Sequence, residues 1–140
     1  MPIPEEISRK IAILVVDDFS TMRRIVKNTL KQLQFDNITE ADDGTTALKL
    51  IRDKHFDLII SDWNMPNMKG IDLLKTIRAD DRFKKTPFVM VTAESNKEAV
   101  VEAAKAGVSN YVVKPFTTEV LEKKLGDVFH NQLRQAGKTA

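Results

Sequence analysis

The chain has 140 residues, 42% of them apolar, enough for one globular domain with a core and too few for a second. Its 22 Lys and Arg against 20 Asp and Glu leave a formal net charge of +2, too small to argue for nucleic acid or an anionic membrane as partner. Cysteine is absent, which excludes disulfides, thiol catalysis and Cys-ligated metals and suits a reducing, cytoplasmic compartment. The opening MPIPEEISRK lacks a signal-peptide core, and no run approaches the roughly 18 apolar residues that span a bilayer, so a soluble protein is expected.

After an N-terminal extension (residues 1–9), the run IAILVV (11–16) reads as a first strand and stops on two adjacent acids, Asp17 and Asp18. Met22, Ile25, Val26, Thr29, Leu30 and Leu33 then keep the i, i+3, i+4 spacing of one apolar helix face, with Arg23, Arg24, Lys27 and Lys31 on the other. NITEA (37–41) is a second strand, and Ala47, Leu48 and Ile51 mark a second helix. DLIIS (57–61) leads into Asp62 and a helix carrying Ile71, Leu74 and Ile77. PFVMVT (87–92) precedes a small-residue helix through Val100, Ala103 and Ala104. NYVVK (110–114) precedes a last helix with Leu121, Leu125, Val128 and Phe129, and a tail (131–140) is expected to fray after a helical start.

Near-continuous apolar strands alternating with single helices predict an α/β domain over residues 10–130, with a five-stranded parallel sheet, right-handed crossovers and helices on both faces. Five such units suit the flavodoxin-like (βα)5 order 2-1-3-4-5. In such sheets ligands bind beyond the carboxyl ends of the strands, where the order reverses, here between the first and third. Those ends carry Asp17 and Asp18, Asp62 in IISDWNMP, Thr92 in VMVTAES and Lys114 in YVVKPF. Two carboxylates about 4 Å apart repel by roughly 4 kcal/mol at an effective dielectric near 20. A hard divalent cation relieves this, and oxygen-only ligands favour Mg²⁺, or Mn²⁺, commonly serving a phosphate. Lys114 would complement that phosphate.

Singly, each residue has an ordinary reading: DDFS as a helix cap, Thr92 as a β-branched strand end, Lys114 as a solvated lysine before Pro115. Their convergence on one edge argues for a site. Asp62 argues most strongly, since an acid directly after an apolar central strand costs desolvation unless it is used or partnered.

The stretches VVDDFSTMRRIV, ISDWNMPNM, MVTAES and YVVKPFT, in this order, resemble the receiver domains of two-component response regulators, above all their stand-alone chemotaxis members. The resemblance implies a signalling switch, not an enzyme. Asp62 would accept a phosphoryl group from a sensor histidine kinase, with Asp17, Asp18, Asp62 and the Asn64 carbonyl arranging Mg²⁺ and with Thr92 and Lys114 on phosphoryl oxygens. It also implies that Asn64 and Glu94 tune hydrolysis. Tyr111 would follow Thr92 inward and reshape the face of the fourth helix, fifth strand and fifth helix, bordered by Lys97, Lys105, Lys123 and Lys124. The implied partners are a chemotaxis-type kinase, the flagellar motor switch protein and a dedicated phosphatase, with the protein acting as a monomer and binding neither DNA nor membrane. Two positions depart from the family pattern: Lys69, where an acid is common, and Ser95, where Ala is frequent and which is expected as a possible cap for the fourth helix.

Competing readings fit less well. An aspartate-nucleophile phosphatase of the haloacid dehalogenase kind needs a second aspartate two residues after the first, where this chain has Asn64. A flavodoxin needs a loop that donates to a flavin phosphate, which the acids of DDFS would repel. A DNA-binding regulator needs an effector domain, for which too little chain follows residue 130. Within the family, the sequence also admits a copy that acts as a phosphate sink or serves another pathway.

Overall fold

The computed structural model describes residues 2–139, with side chains described through residue 136. It consists of β1 (Ile13–Val16), α1 (Ser20–Gln32), β2 (Ile38–Ala41), α2 (Gly44–Asp53), β3 (Leu58–Ser61), α3 (Gly70–Ala79), β4 (Phe88–Thr92), α4 (Lys97–Lys105), β5 (Asn110–Val113) and α5 (Thr118–Thr139). The five strands form one parallel sheet in the order β2-β1-β3-β4-β5, as the alternation of elements predicts.

Strand alternation divides the interior into two layers. Leu14, Val16, Ile59, Phe88 and Met90 point toward α2, α3 and α4, where they meet Ile51, Leu74, Ile77 and Ala103. Ile13, Val15, Leu58, Ile60, Val89 and Val91 point toward α1 and α5, where they meet Leu30, Leu121, Leu125 and Phe129. The three central strands are buried at every position, whereas the edge strands β2 and β5 each keep partly exposed residues. This is the pattern of a sheet covered on both sides.

One expectation needs correction. Ile25, expected on the buried stripe of α1, is 43% exposed, because the helix packs through Val26, Thr29, Leu30 and Leu33. Residues 131–139 continue α5 as helix; Asn131 to Ala136 include no proline and several strong helix formers. The N-terminal extension packs on the domain: Ile3 joins the α1/α5 core layer, and the Arg9 guanidinium lies 4.9 Å from the centre of the Phe35 ring, which itself packs on Phe129.

Parallel register brings the strand ends together. Val16 pairs with both Ala41 and Ser61, so Asp17 and Asp62 each stand one residue beyond the same rung, and Asp62 N donates to the Val16 carbonyl at 2.9 Å. Thr92 pairs with Val113, and Lys114 N donates to the Thr92 carbonyl at 2.8 Å. The loops above are tied by side chains. Asp43 caps α2 by accepting from Thr46 N at 2.8 Å, and its other oxygen accepts from Asn67 Nδ2 at 2.6 Å. Asn67, with φ of 67°, belongs to the β3–α3 loop that also carries Asn64. At the end of that loop, a Cβ on Gly70 would collide with the Asp62 carbonyl oxygen.

Two stability outcomes follow. Asp43→Ala is expected to cost about 1–2 kcal/mol in urea unfolding at neutral pH, since it removes a cap and a loop tie. The Thr46 N–H and the Asn67 amide hold the Asp43 carboxyl below its ordinary range. Its charge-linked contribution is therefore complete above the unfolded pKa near ~3.9 and disappears as pH falls through the lowered folded value, so the gap to the variant should narrow in acid. Gly70→Ala should cost about 1–3 kcal/mol by overpacking against the Asp62 peptide, a loss readable in the same unfolding experiment.

Candidate functional site

The carboxylates of Asp17, Asp18 and Asp62 place an oxygen each within 4.8 Å of one another beyond the ends of β1 and β3. Asp17 is buried, Asp62 half-buried and Asp18 exposed, so the cluster opens toward solvent on the Asp18 side. Lys114 reaches into it from the end of β5: Nζ donates to Asp17 Oδ2 at 2.9 Å and to Asp62 Oδ2 at 3.1 Å. The other carboxylate oxygen of Asp17 and of Asp62 is held by backbone. Phe19 N donates to Asp17 Oδ1 at 2.9 Å, and Trp63 N donates to Asp62 Oδ1 at 2.6 Å. Among the described residues no buried side-chain nitrogen or oxygen lacks a partner.

The electrostatics are unbalanced. Burial pushes the Asp17 carboxyl above its ordinary range, the neighbouring Asp62 charge adds to this, and Lys114 and Phe19 N–H oppose it. Burial acts against the Lys114 ammonium too, but its bond to Asp17 and the charges of Asp62 and Asp17 outweigh that and raise its pKa. Lys114 is therefore a fixed cation, bonded to two of the three carboxylates. The donor set fits a hard divalent cation: three carboxylates from two adjacent loops, close enough to converge, with no His or Cys beside them.

Thr92 is fully buried at the end of β4, with its hydroxyl accepting from Glu94 N at 3.2 Å. Glu94 joins three segments. Its Oε1 accepts from Asn64 Nδ2 at 2.7 Å, its Oε2 from Asn96 Nδ2 at 3.3 Å, and its carbonyl from the Tyr111 hydroxyl at 2.6 Å. Burial together with the charges of Glu94 and Asp62 raises the Tyr111 pKa, so the phenol stays a donor. Lys97, Lys105 and Lys123 are exposed on α4 and α5, and Lys124 is half-buried.

Asp17, Asp18, Asp62, Asn64, Thr92, Glu94 and Lys114 thus lie at or just beyond the carboxyl ends of the strands, whereas Tyr111 sits lower on β5, opposite Met90, and connects to them through its hydroxyl on the Glu94 carbonyl. Two local expectations do not hold. Ser95 does not cap α4; Asn96 does, accepting from Ala99 N at 2.8 Å. The DDFS segment does not cap α1 through a side chain: the N-cap is Phe19, and the Asp17 carboxylate stops at the Phe19 amide. Sequence reasoning missed the supports beneath the acids. Ser61 Oγ donates to the Asp62 carbonyl at 2.8 Å, and Arg23 Nη1 donates to the Asp17 carbonyl at 2.7 Å. A serine in place of an apolar residue in LIIS was the available signal for the first. A depression of about 520 Å³ lined by Lys85, Pro87, Ser109, Val128 and Asn131 lies by the starts of β4 and β5, away from this cluster.

The response regulator receiver domain family matches residues 13–126. The chain is 58% identical to the chemotaxis protein CheY of Pseudomonas aeruginosa over 117 residues, which span 84% of this chain and 94% of that protein. It is 55% identical to chemotaxis protein CheY-3 of Vibrio cholerae over 123 residues, 88% of this chain and 95% of the relative. Among solved structures it resembles chemotaxis response regulator CheY4 of Vibrio cholerae, with a TM-score of 0.78, 37% identity and coverage of 85% of this chain and 98% of the other. A CheY-like receiver domain protein of Methanospirillum hungatei gives a TM-score of 0.81 at 25% identity, covering 90% and 98%. Family match, strand order and the acid cluster at the switch point agree: this chain belongs to the response regulator receiver domain family.

Proposed function

We propose that the protein is a phosphorylation-driven chemotaxis switch that takes a phosphoryl group on Asp62 from a phosphohistidine of a sensor kinase. The observation that carries this reading is the setting of Asp62: at the end of a central strand, with Oδ1 held by Trp63 N, Oδ2 facing Lys114 Nζ, and two more carboxylates alongside. In the transfer an Asp62 oxygen forms a bond to phosphorus, the phosphorus–nitrogen bond breaks, and the imidazole leaves with its electron pair. Little covalent help is needed, so positioning and charge neutralisation do most of the catalysis. Mg²⁺ held by Asp17, Asp18, Asp62 and the Asn64 carbonyl would supply that neutralisation. Lys114 contributes a fixed ammonium at Asp62, and the Thr92 hydroxyl stands at the end of the neighbouring strand to donate to a phosphoryl oxygen.

Tyr111 and Glu94 support an output route. A Thr92 hydroxyl turned toward a phosphoryl group leaves the Glu94 amide it now accepts from, and that amide belongs to the residue whose carbonyl holds Tyr111. The α4–β5–α5 face then reports on Asp62 to a motor-switch partner, and the relatives named as chemotaxis proteins support a role in chemotaxis.

Trp63 is the single tryptophan and adjoins Asp62, so its fluorescence is the direct readout. It should change on adding Mg²⁺ and again on adding acetyl phosphate or beryllofluoride. Asp62→Asn should abolish the second change and lower hydroxylamine-sensitive phosphate incorporation by at least about 100-fold, as expected for removal of a nucleophile. An Asn variant labelled at the wild-type rate rules out this nucleophile. Beryllofluoride should tighten binding to the motor switch protein's N-terminal peptide by roughly 5- to 150-fold, the range of ordinary allosteric coupling. Unchanged binding removes the motor role and leaves a receiver serving another pathway.

A further inference from the structure

Helical spacing assigns Arg23 to the solvent face of α1, yet its side chain is only 19% exposed and folds back over the β1–α1 loop. Its Nη1 donates to the Asp17 carbonyl at 2.7 Å, while its Nε donates to Glu40 Oε1 on β2 at 3.1 Å. Lys27 Nζ, one turn further along α1, lies 3.5 Å from the other Glu40 oxygen. The Asp17 carbonyl belongs to the peptide that joins Asp17 to Asp18. Its orientation therefore sets where the Asp18 carboxylate stands relative to those of Asp17 and Asp62. The rest of Asp17 is already fixed: its N–H donates to the Ala41 carbonyl at 3.1 Å, and its two carboxylate oxygens accept from Phe19 N and Lys114. Among the described residues Arg23 supplies the remaining restraint, on the side that leads to the exposed acid.

We infer that Arg23, clamped by Glu40, is a positioning residue that holds the Asp17–Asp18 peptide so that both carboxylates converge on one divalent cation. This rests on the cation reading of the acid cluster given above. A guanidinium fork suits the task because it satisfies two acceptors in fixed directions, which a lysine ammonium on a flexible stem does not. Glu40 also offsets the positive charge that Arg23 would otherwise bring beside a cation site.

The two effects of Arg23 have opposite signs, which makes the inference testable. Loss of its charge alone would tighten Mg²⁺ binding, whereas loss of the peptide's restraint would weaken it. Arg23→Lys keeps the charge without the fork, and Arg23→Gln drops both. Mg²⁺ titrations followed by Trp63 fluorescence should show both variants binding about tenfold more weakly than wild type, the usual scale for residues that orient metal ligands. Glu40→Gln should weaken binding less, and its combination with Arg23→Lys should be markedly less than additive, because both act through one clamp. In metal-free protein the Phe19 amide should exchange its hydrogen faster in Arg23→Lys. Wild-type Mg²⁺ affinity in Arg23→Lys, or tighter binding in Arg23→Gln, overturns the inference. Were the Arg23 variants unfolded, Glu40→Gln would decide alone, with unchanged affinity overturning it. Absence of any Mg²⁺ response in the wild type defeats the cation reading itself; Phe19 exchange unchanged in Arg23→Lys then overturns the clamp as well.

Discussion

The rest of the site depends on a crowding of negative charge that the parallel register imposes. Val16 and Ser61 share a rung, so any residues following them are neighbours, and here those residues are aspartates. One of them is buried, with its carboxyl pushed up by loss of water. The fold tolerates this because a lysine from the far edge strand and two backbone amides bond the Asp17 and Asp62 carboxylates, while a guanidinium holds the Asp17 carbonyl. At an effective dielectric near 20, a carboxylate pair at about 4 Å carries roughly 4 kcal/mol of repulsion, comparable with the stability of a small domain. A ligand that brings positive charge is thus favoured by the apo protein's own electrostatics, and a phosphoryl group is welcome only with that ligand or Lys114 beside it. This accounts for a site built from strand ends rather than from a pocket.

Much of this was legible in the sequence. The strands IAILVV, DLIIS and PFVMVT are apolar throughout because their sheet is covered on both faces, and the apolar runs fix the strand positions to within two residues. Once the strands are placed, the residues that follow them are the site, which is why Asp17, Asp62, Thr92 and Lys114 could be named in advance. Periodicity assigns faces but not side-chain direction. Arg23 lies on a face that should meet solvent, yet a long side chain can fold back to a carbonyl six residues earlier in the sequence, and nothing in the spacing announces that. Caps failed for a related reason. Ser95 and Asn96 are both good capping residues, and the choice between them depends on the backbone angles of the β4–α4 loop. The last helix runs on past its final apolar stripe because Asn131 to Ala136 hold nothing that stops a helix.

Glu94 shows how the loops above the sheet are joined. One residue's carboxylate binds Asn64 from the β3–α3 loop and Asn96, the cap of α4, while its carbonyl binds Tyr111 and its amide binds Thr92. Four contacts therefore converge on a residue that is itself only half-buried. Sequence change at Asn64, Asn96 or Tyr111 acts on the same hub, so the effect of any one depends on what occupies the other two. Among chains of this family the three positions are then expected to vary as a set, not independently, and a residue transplanted alone from a relative need not carry the relative's behaviour with it.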